Sequence, residues 1–292
     1  MTQSRFTPAV LAALAVRLTP RDRKILRAVW DHRVLTSPQI TQLFFDTDTA
    51  TRKRLLTLHH MGVLERFRPN LPVGAGAAPY HYVIGAAGAA VLASEDGIEF
   101  AALGYRRDRA LGIAHNQRLT HLVGVNDFHA ALAAFARRHE NARLVTWWPE
   151  HRCTAQWGQT VRPDGYARWR EDGYNLDFFL EHDTGTEPLD RVAAKLDGYA
   201  LLAQRTAIVT PVLFSVHSDR REANLRTRLL QHPAAQTVPI ATTSRTGGLI
   251  NDGPAGQRWL PLNTPNPRLR LATLATHWPH LGPRELPRQV TE

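Results

Sequence analysis

The sequence predicts a mixed α/β protein with two folded domains and a C-terminal tail. The chain has 292 residues, which is long enough for two hydrophobic cores. Short helix patterns occupy the first part, and strand-like runs that alternate with helices follow later. The charge is also uneven, since residues 1–70 carry 12 Lys or Arg and 5 Asp or Glu, a net charge of +7 out of +10 for the whole chain.

The composition favours a polyanionic partner. The chain has 36 Lys or Arg against 26 Asp or Glu and a pI of about 10.5, and such a field attracts nucleic acid. No apolar run approaches the ~20 residues of a membrane span, so we expect no membrane partner. The single cysteine, Cys153, excludes an internal disulfide and fits a reducing compartment. We therefore expect a cytoplasmic, nucleoid-associated protein.

Helix start and stop signals define the first domain. Thr19-Pro20 and Ser37-Pro38 are typical of helix N-termini, with a capping hydroxyl before a proline. A third helix is predicted to begin at residues 46–48 and to stop at Gly62. Two β-rich pieces, residues 63–69 and 80–84, flank a loop rich in Gly and Ala and predict a hairpin.

Three short helices followed by a two-stranded hairpin resemble the winged helix-turn-helix. In that fold the third helix enters the major groove and the wing contacts the DNA backbone. The resemblance implies a DNA-binding first domain, residues 1–110, that includes a linker helix. Charged helix faces are also typical of solvated surfaces, and winged helices also serve as protein-interaction modules. The residues expected to contact double-stranded DNA all lie on the third helix: Thr51, Arg52, Lys53, Arg54 and His60.

The second domain, residues 111–245, is predicted as alternating helices and strands. A long helix over residues 116–140 precedes a strand at 142–148, and RCTAQW at 152–157 is interpreted as a further strand. RPDGYARW and YNLDFFLE predict a hairpin joined by the turn REDG. A helix at 188–204, a strand at 211–218, a helix from 219 and a strand at 237–244 complete it. Residues 246–292 are predicted as an extended, Pro-rich tail that Trp259 and Leu260 pack, with a mobile terminus.

This order of elements matches the αβββαβ core of the PD-(D/E)XK nucleases, the restriction-endonuclease-like fold. A basic winged helix, a helix with His121 and Asn126-Asp127, a Trp-Pro-Glu segment, RPDGY, FFLEHDTGTE and KLDGY together resemble the replication-relaxation family of actinobacterial plasmids and mobile elements. The resemblance covers roughly residues 19–245. It implies a role in plasmid replication or DNA relaxation, with a nuclease-like second domain.

The nuclease-like fold gives two acids a shared location. Asp164 would begin one hairpin strand and Glu181 would end the next, so antiparallel pairing can bring their carboxylates to one edge of the sheet. Two carboxylates, a backbone carbonyl such as that of His182, and water suit Mg²⁺ or Mn²⁺. A bound metal would polarise a phosphate and help to generate hydroxide from water, and a lysine would offset the developing negative charge.

Sites of this kind usually have a lysine two residues after the second acid, and this sequence does not. The residue two positions after Glu181 is Asp183, which is either a third metal ligand or the mark of a fold that has lost its chemistry. Lys195, on the following helix with Tyr199 one turn later, is the candidate substitute. Glu150 follows a strand and is a further candidate. The predicted catalytic residues are Asp164, Glu181, Lys195, Asp183 and Glu150, and the predicted metal ligands are Asp164, Glu181 and Asp183.

Three functional hypotheses are compatible with the sequence. The first is a metal-dependent DNA endonuclease or nickase directed by its winged helix. The second is a catalytically inactive nuclease fold that serves as a DNA-binding replication initiator or accessory factor. The third is a transcriptional regulator whose second domain mediates dimerisation. Expected partners are double-stranded DNA and a second copy of the chain or plasmid replication and transfer proteins. The sequence contains no P-loop, which argues against ATP-driven activity.

Overall fold

The computed structural model describes residues 6–70, 74, 76–246, 252–265, 267–278 and 281. The chain divides into two compact units, Met1–Ala130 and Ala131–Glu292. The division lies inside a long helix, whereas the sequence placed a boundary near residue 110. The reason is that the first half of this helix packs with the first unit. There the Asn126 side chain donates hydrogen bonds to the backbone carbonyls of His32 and Val34.

The first unit consists of helices around a small antiparallel sheet. Its strands β1 (Leu35–Thr36), β2 (Leu64–Phe67) and β3 (His81–Ile84) have the order β1–β3–β2, with Leu64 opposite Ile84. Its elements are α1 (Pro8–Arg17), α2 (Pro20–His32), β1 (Leu35–Thr36), α3 (Ser37–Phe44), α4 (Asp48–His60), β2 (Leu64–Phe67), β3 (His81–Ile84), α5 (Ala86–Glu95), α6 (Arg107–Gly112) and the first half of α7 (Leu119–Arg138). Their apolar faces form one core, which includes Ile25, Leu55 and Leu92.

The helix ends in this unit form close to the predicted positions, although the cap of α3 is Thr36 and not the expected Ser37. Thr19 caps α2 and Thr36 caps α3, each in a capping box with the residue three positions later, Asp22 and Gln39. Gly62 follows α4 with a φ of 69°, a left-handed conformation that glycine adopts without strain. Each of these helix ends is satisfied by a neighbour in sequence.

The second unit contains a six-stranded mixed sheet whose strands lie in chain order: β4 (Ala142–Pro149), β5 (Gly165–Glu171), β6 (Tyr174–Asp183), β7 (Val212–Val216), β8 (Ile240–Ser244) and β9 (Leu260–Pro261). The pairs β4–β5, β5–β6 and β8–β9 are antiparallel, and β6–β7 and β7–β8 are parallel. Its elements are β4 (Ala142–Pro149), α8 (Glu150–Trp157), β5 (Gly165–Glu171), β6 (Tyr174–Asp183), α9 (Leu189–Thr206), β7 (Val212–Val216), α10 (Asp219–Gln231), β8 (Ile240–Ser244), β9 (Leu260–Pro261) and α11 (Leu274–His277). The mixed α/β class predicted from the sequence is confirmed.

One predicted strand is wrong. Residues 152–157 belong to the helix α8 rather than to a strand. Pro149 at the N-cap has an extended backbone, and Glu150 places a carboxylate in the first helical turn, where the helix dipole stabilises it. Cys153 and Trp157 lie four residues apart, so a helix directs both into the core.

The β5–β6 hairpin turns at Asp172 and Gly173, which have φ values of 51° and 81°. Two positive φ angles are typical of the two-residue hairpin turn that matches strand twist. The described part of the C-terminal segment packs around Trp259, which is buried and whose indole N–H donates to the Pro254 carbonyl at 2.7 Å. Leu260 lies in β9 and extends the sheet beside β8. The predicted mobile terminus, residues 279–280 and 282–292, lies outside the described residues.

A buried ion pair joins α2 to α4. The Asp22 carboxylate accepts hydrogen bonds from the Thr19 amide at 2.7 Å and from Arg54 Nε at 2.8 Å. Burial alone would raise the pKa of Asp22, but the hydrogen bonds from Arg54 and Thr19 outweigh it and hold that pKa below 3.8. The ionised form of Asp22 is therefore the form that stabilises the fold.

We expect Asp22→Asn to lower the free energy of unfolding at pH 7 by about 1–3 kcal/mol, since it removes charged hydrogen bonds from a buried site. A lowered folded-state pKa contributes stability above the unfolded pKa of 3.8, and this contribution is lost as the pH falls through the folded value. Urea unfolding of the full chain should thus show a deficit at neutral pH that shrinks in acid. The matched control is Asp96→Asn, which removes an exposed pair with Arg27 and should cost under about 1 kcal/mol.

Candidate functional site

Two of the predicted catalytic acids, Asp164 and Glu181, lie together in the second unit, where strand β5 begins and strand β6 approaches its end. Gly165 pairs with Leu180 across β5 and β6, so Asp164 and Glu181 are the next residues beyond this pair. The Asp164 carboxylate accepts a hydrogen bond from the His182 amide at 2.7 Å, and the Asp164 amide donates to the Leu180 carbonyl at 3.1 Å. The start of β5 is thereby bonded to the backbone on both sides of Glu181.

Helix α9 holds the Glu181 carboxylate from the other side. Lys195 Nζ lies 2.8 Å from Glu181 Oε2, and the Tyr199 hydroxyl donates to Oε1. The two α9 residues are four apart and therefore occupy one face of the helix. We call Asp164, Glu181, Lys195 and Tyr199 the acid–lysine cluster. The structure brings Lys195 to the acids as expected.

Burial sets the electrostatics of the cluster. Glu181 has only 2% of its surface exposed, and burial together with the negative charge of Asp164 raises its pKa to about 7. Burial opposes the charge on Lys195, but the carboxylates of Glu181 and Asp164 outweigh it and raise the pKa of the ammonium. Burial and the charge of Glu181 also raise the pKa of Tyr199 well above 10.0. At neutral pH both Lys195 and Tyr199 thus carry the protons that they donate.

Asp183 is placed in an ion pair instead of in the cluster. Its carboxylate lies 2.6 Å from Arg221 Nε of α10 and accepts a hydrogen bond from the Gly185 amide at 3.0 Å. Burial would raise the pKa of Asp183, but Arg221 and the Gly185 amide lower it below 3.8. Asp183, the expected third metal ligand, therefore has a cation of its own. No local pattern indicates this pairing, because Arg221 lies 38 residues away.

The loop after β6 is held closely at both ends. Gly185 has a φ of 86°, and a Cβ there would lie 2.3 Å from Cε1 of the His217 ring. Arg221, which bonds Asp183, also donates to the carbonyl of Glu187. The Glu187 carboxylate lies 3.5 Å from Lys195 Nζ, so the lysine of the cluster has two acidic neighbours. The sequence analysis did not predict that Glu187 lies near Lys195. Its position two residues before α9, the helix that carries Lys195, was a possible indication.

Glu150 begins α8 at the same edge of the sheet. Pro149 pairs with Gly165, so Glu150 and Asp164 are the residues that flank this pair. Burial raises the pKa of the nearby Cys153 thiol, and the charges of Asp164 and Glu150 raise it further. Cys153 is fully buried and its thiol donates to the Trp148 carbonyl at 3.4 Å, which is a structural position.

The residues predicted to contact DNA divide into two groups. Arg52, Lys53 and His60 are exposed on α4, as expected. Thr51 is fully buried, and its hydroxyl donates to the Thr47 carbonyl at 2.9 Å. Arg54 donates a hydrogen bond from Nε to the Asp22 carboxylate. Thr51 and Arg54 differ from the expectation because the helical period turns them toward the face that Leu55 and Leu58 bury.

The acidic residues of the first unit are used elsewhere on its surface. Glu95 pairs with Arg23, Asp96 with Arg27, and Glu65 with Arg107. Among the described residues, no carboxylate lies within 4.0 Å of Arg52 or Lys53. The outward face of α4 therefore keeps its positive charge.

A second cationic feature lies at the β2–β3 hairpin. The guanidinium carbons of Arg66 and Arg68 are 4.2 and 3.9 Å from the centroid of the Tyr80 ring. The sequence patterns predicted this hairpin and its Gly- and Ala-rich loop but did not indicate these arginines. The available signal was arginine at 66 and 68, two residues apart in the predicted strand 63–69 and therefore on one face of it.

Comparison with protein families identifies the chain. The model of the family described as replication-relaxation matches residues 26–213, well over half of the chain. The chain belongs to the replication-relaxation family. The matched residues include α4 and the whole acid–lysine cluster. Membership of this family indicates a role in the replication of a plasmid or mobile element.

Two further comparisons and one membrane criterion complete these findings. Neither the curated proteins nor the solved structures gave a match to the chain. In the described ranges, no helix combines the length and the apolar character that a membrane span requires.

The pH dependence of stability tests the electrostatics of the cluster. The pKa of Glu181 is raised from 4.5 to about 7, so the folded state loses stability as the pH rises through this interval. Lys195→Met removes the cation that limits this loss, and the pKa of Glu181 should rise further. We expect the deficit of Lys195→Met relative to wild type, measured by urea unfolding, to grow above pH 7. In Glu181→Gln/Lys195→Met this growth should disappear, and a deficit independent of pH in the single variant would contradict the assignment.

Proposed function

We propose that this member of the replication-relaxation family is a DNA-binding protein with a divalent-metal-dependent endonuclease or nicking domain. The observation that carries the nuclease proposal is the contact between Lys195 Nζ and Glu181 Oε2, at 2.8 Å. The Asp164 carboxylate lies beside this pair, bonded to the backbone amide of His182. A lysine and two acids at one sheet edge can bind a metal ion, a phosphate and a water together.

The first unit supports a winged helix-turn-helix interpretation. Helices α2, α3 and α4 precede the β2–β3 hairpin, and β1 completes its small sheet. With α4 as the helix that enters the major groove, Arg52 and Lys53 lie on its exposed face. Arg66 and Arg68, stacked around Tyr80, give the proposed wing two cations at its base. Their charges suit contact with the phosphates that flank a groove.

We expect Arg52→Ala and Lys53→Ala to weaken binding to a mixed-sequence DNA duplex. Each lost phosphate contact should also reduce the slope of log K against log salt by about 0.9. Fluorescence anisotropy over a series of salt concentrations measures both quantities. The matched control is Arg27→Ala, whose guanidinium is already paired with Asp96. Unchanged slopes in both α4 variants would move the DNA-binding surface elsewhere.

The second unit supports a PD-(D/E)XK-like interpretation. The second half of α7 leads into three antiparallel strands, β4, β5 and β6, after which α9 crosses over to β7, parallel to β6. This is the αβββαβ order, with α8 as an insertion between the first two strands. The acid–lysine cluster lies where β5 begins and β6 ends, which is where such a fold would carry its catalytic residues.

The donor set fits a hard divalent cation that keeps part of its water. Asp164 and Glu181 offer carboxylate oxygens, and Mg²⁺ is commonly bound through one or two carboxylates. When bound, such an ion would act as a Lewis acid on a phosphate oxygen and lower the pKa of a water. Lys195 would hold positive charge near the phosphate, and Tyr199 would orient Glu181 through its Oε1 atom. The buried surroundings would strengthen each of these interactions.

A second candidate function is a non-catalytic DNA-binding factor of replication or its control. It is favoured by the bonds that already occupy the acids, since both oxygens of Glu181 are bonded and Asp183 is paired with Arg221. Over the described part of the chain, no group of three or more His, Cys, Asp or Glu side chains is arranged to hold a metal ion. A nuclease fold with these features can serve as a scaffold.

Cleavage of supercoiled plasmid in Mg²⁺ or Mn²⁺ separates the two candidates. We expect the wild type to nick or linearise the plasmid, and Asp164→Asn and Lys195→Met to be slower by about 100-fold or more, since each removes charge stabilisation. The matched control is Lys24→Met, which removes an exposed lysine of α2 and should cleave like the wild type. Activity that survives in Asp164→Asn would indicate a contaminant or another site. A wild type that does not cleave with either metal would favour the scaffold.

A further inference from the structure

An exposed leucine lies within the basic face of α4. Leu56 has 39% of its surface exposed. It follows Lys53 by three residues and Arg52 by four, and it precedes His60 by four, so all of these side chains project from one face of the helix. No residue of α4 after Asp48 is acidic. An apolar group thus occupies the middle of a cationic surface.

The core does not require this leucine. Leu55 and Leu58 are fully buried and supply the packing of α4. The other exposed large apolar residues described in the first unit are Val10 and Val16 on α1 and Ile98 after α5. Leu56 therefore stands as a single apolar side chain among cations, which is too small a patch for a typical protein-docking surface.

The DNA major groove presents a matching arrangement of chemical groups. Phosphates line its edges and attract the cations of a recognition helix. Its floor carries hydrogen-bonding groups of the bases and one apolar group, the 5-methyl of thymine. A leucine side chain can neither donate nor accept a hydrogen bond, so the thymine methyl is the base feature that it can distinguish.

We propose that Leu56 is a specificity-determining residue that contacts the 5-methyl group of thymine in the major groove. This inference rests on the proposed DNA binding by α4 and adds the base that this helix selects. Arg52 and Lys53 anchor the helix to the phosphates, and Leu56, one turn later, lies over the base edges. The preferred duplex then carries thymine at the position that faces Leu56.

Replacement of thymine by uracil removes this methyl group and leaves base pairing intact. Duplexes are first selected by wild-type binding from a random pool, and each selected sequence is then amplified with either dTTP or dUTP. Anisotropy at fixed salt gives Kd for the wild type and for Leu56→Ala on both forms. The wild type should bind the uracil form about fourfold more weakly for each methyl contacted. Leu56→Ala should bind both forms equally, near the affinity of the wild type for uracil DNA.

Two matched variants control for folding and for changes in DNA shape. Leu230→Ala truncates another exposed leucine, on α10, and should keep the full wild-type sensitivity to uracil. Leu56→Met keeps an apolar side chain and should keep most of that sensitivity. Equal uracil sensitivity in the wild type and Leu56→Ala would overturn the inference, and so would a wild type that is insensitive to uracil. Failure of the wild type to bind any duplex would instead refute the proposed DNA binding, and this inference with it.

Discussion

The second unit's candidate site depends on the contacts that surround one buried carboxylate, that of Glu181. Glu181 lies at the end of a central strand, almost without access to water, and a lone charge there would cost several kcal/mol. Lys195 and Tyr199 each bond one of its oxygens, and Asp164 binds the backbone amide next to it. Strand β6, helix α9 and the start of β5 are therefore joined by the hydrogen bonds of two neighbouring acids, Glu181 and Asp164.

Buried acids paired with cations recur throughout the described residues. Four of them pair with arginine: Asp22 with Arg54, Glu171 with Arg270, Asp183 with Arg221, and Glu222 with Arg268. Glu181 differs, since its cation is Lys195, one of three lysines in the chain. A guanidinium forms a planar fork that holds a carboxylate firmly, whereas an ammonium is compact, strongly hydrated and free to rotate its donors. Lys195 thus differs from the arginines of the other four pairs in having a compact ammonium in place of a planar guanidinium.

The sequence predicts best what neighbours in sequence determine. The cap at Thr19, the stop at Gly62 and the hairpin turn at Asp172-Gly173 are local, and each formed where expected. The cap of α3 is Thr36, one residue before the expected Ser37. The shared edge of Asp164 and Glu181 also follows from hairpin pairing alone.

The features that the sequence did not predict depend on contacts between residues that are distant in sequence. Residues 152–157 alternate in polarity well enough for a strand, and the core contacts of Cys153 and Trp157 select the helix. Asp183 could not be assigned to Arg221 without knowing that α10 lies beside β6. The inward positions of Thr51 and Arg54 depend on which face of α4 meets the core.

Gly185 has a consequence that extends beyond its own turn. Its backbone amide bonds Asp183, and two residues later Glu187 approaches Lys195. Any side chain at position 185 would displace the His217 ring and strain a left-handed backbone. The turn that leads from Asp183 to Glu187, the second acid beside Lys195, therefore requires glycine at position 185. Glycine lets this loop pass close to the His217 ring on its way to the acid that neighbours Lys195.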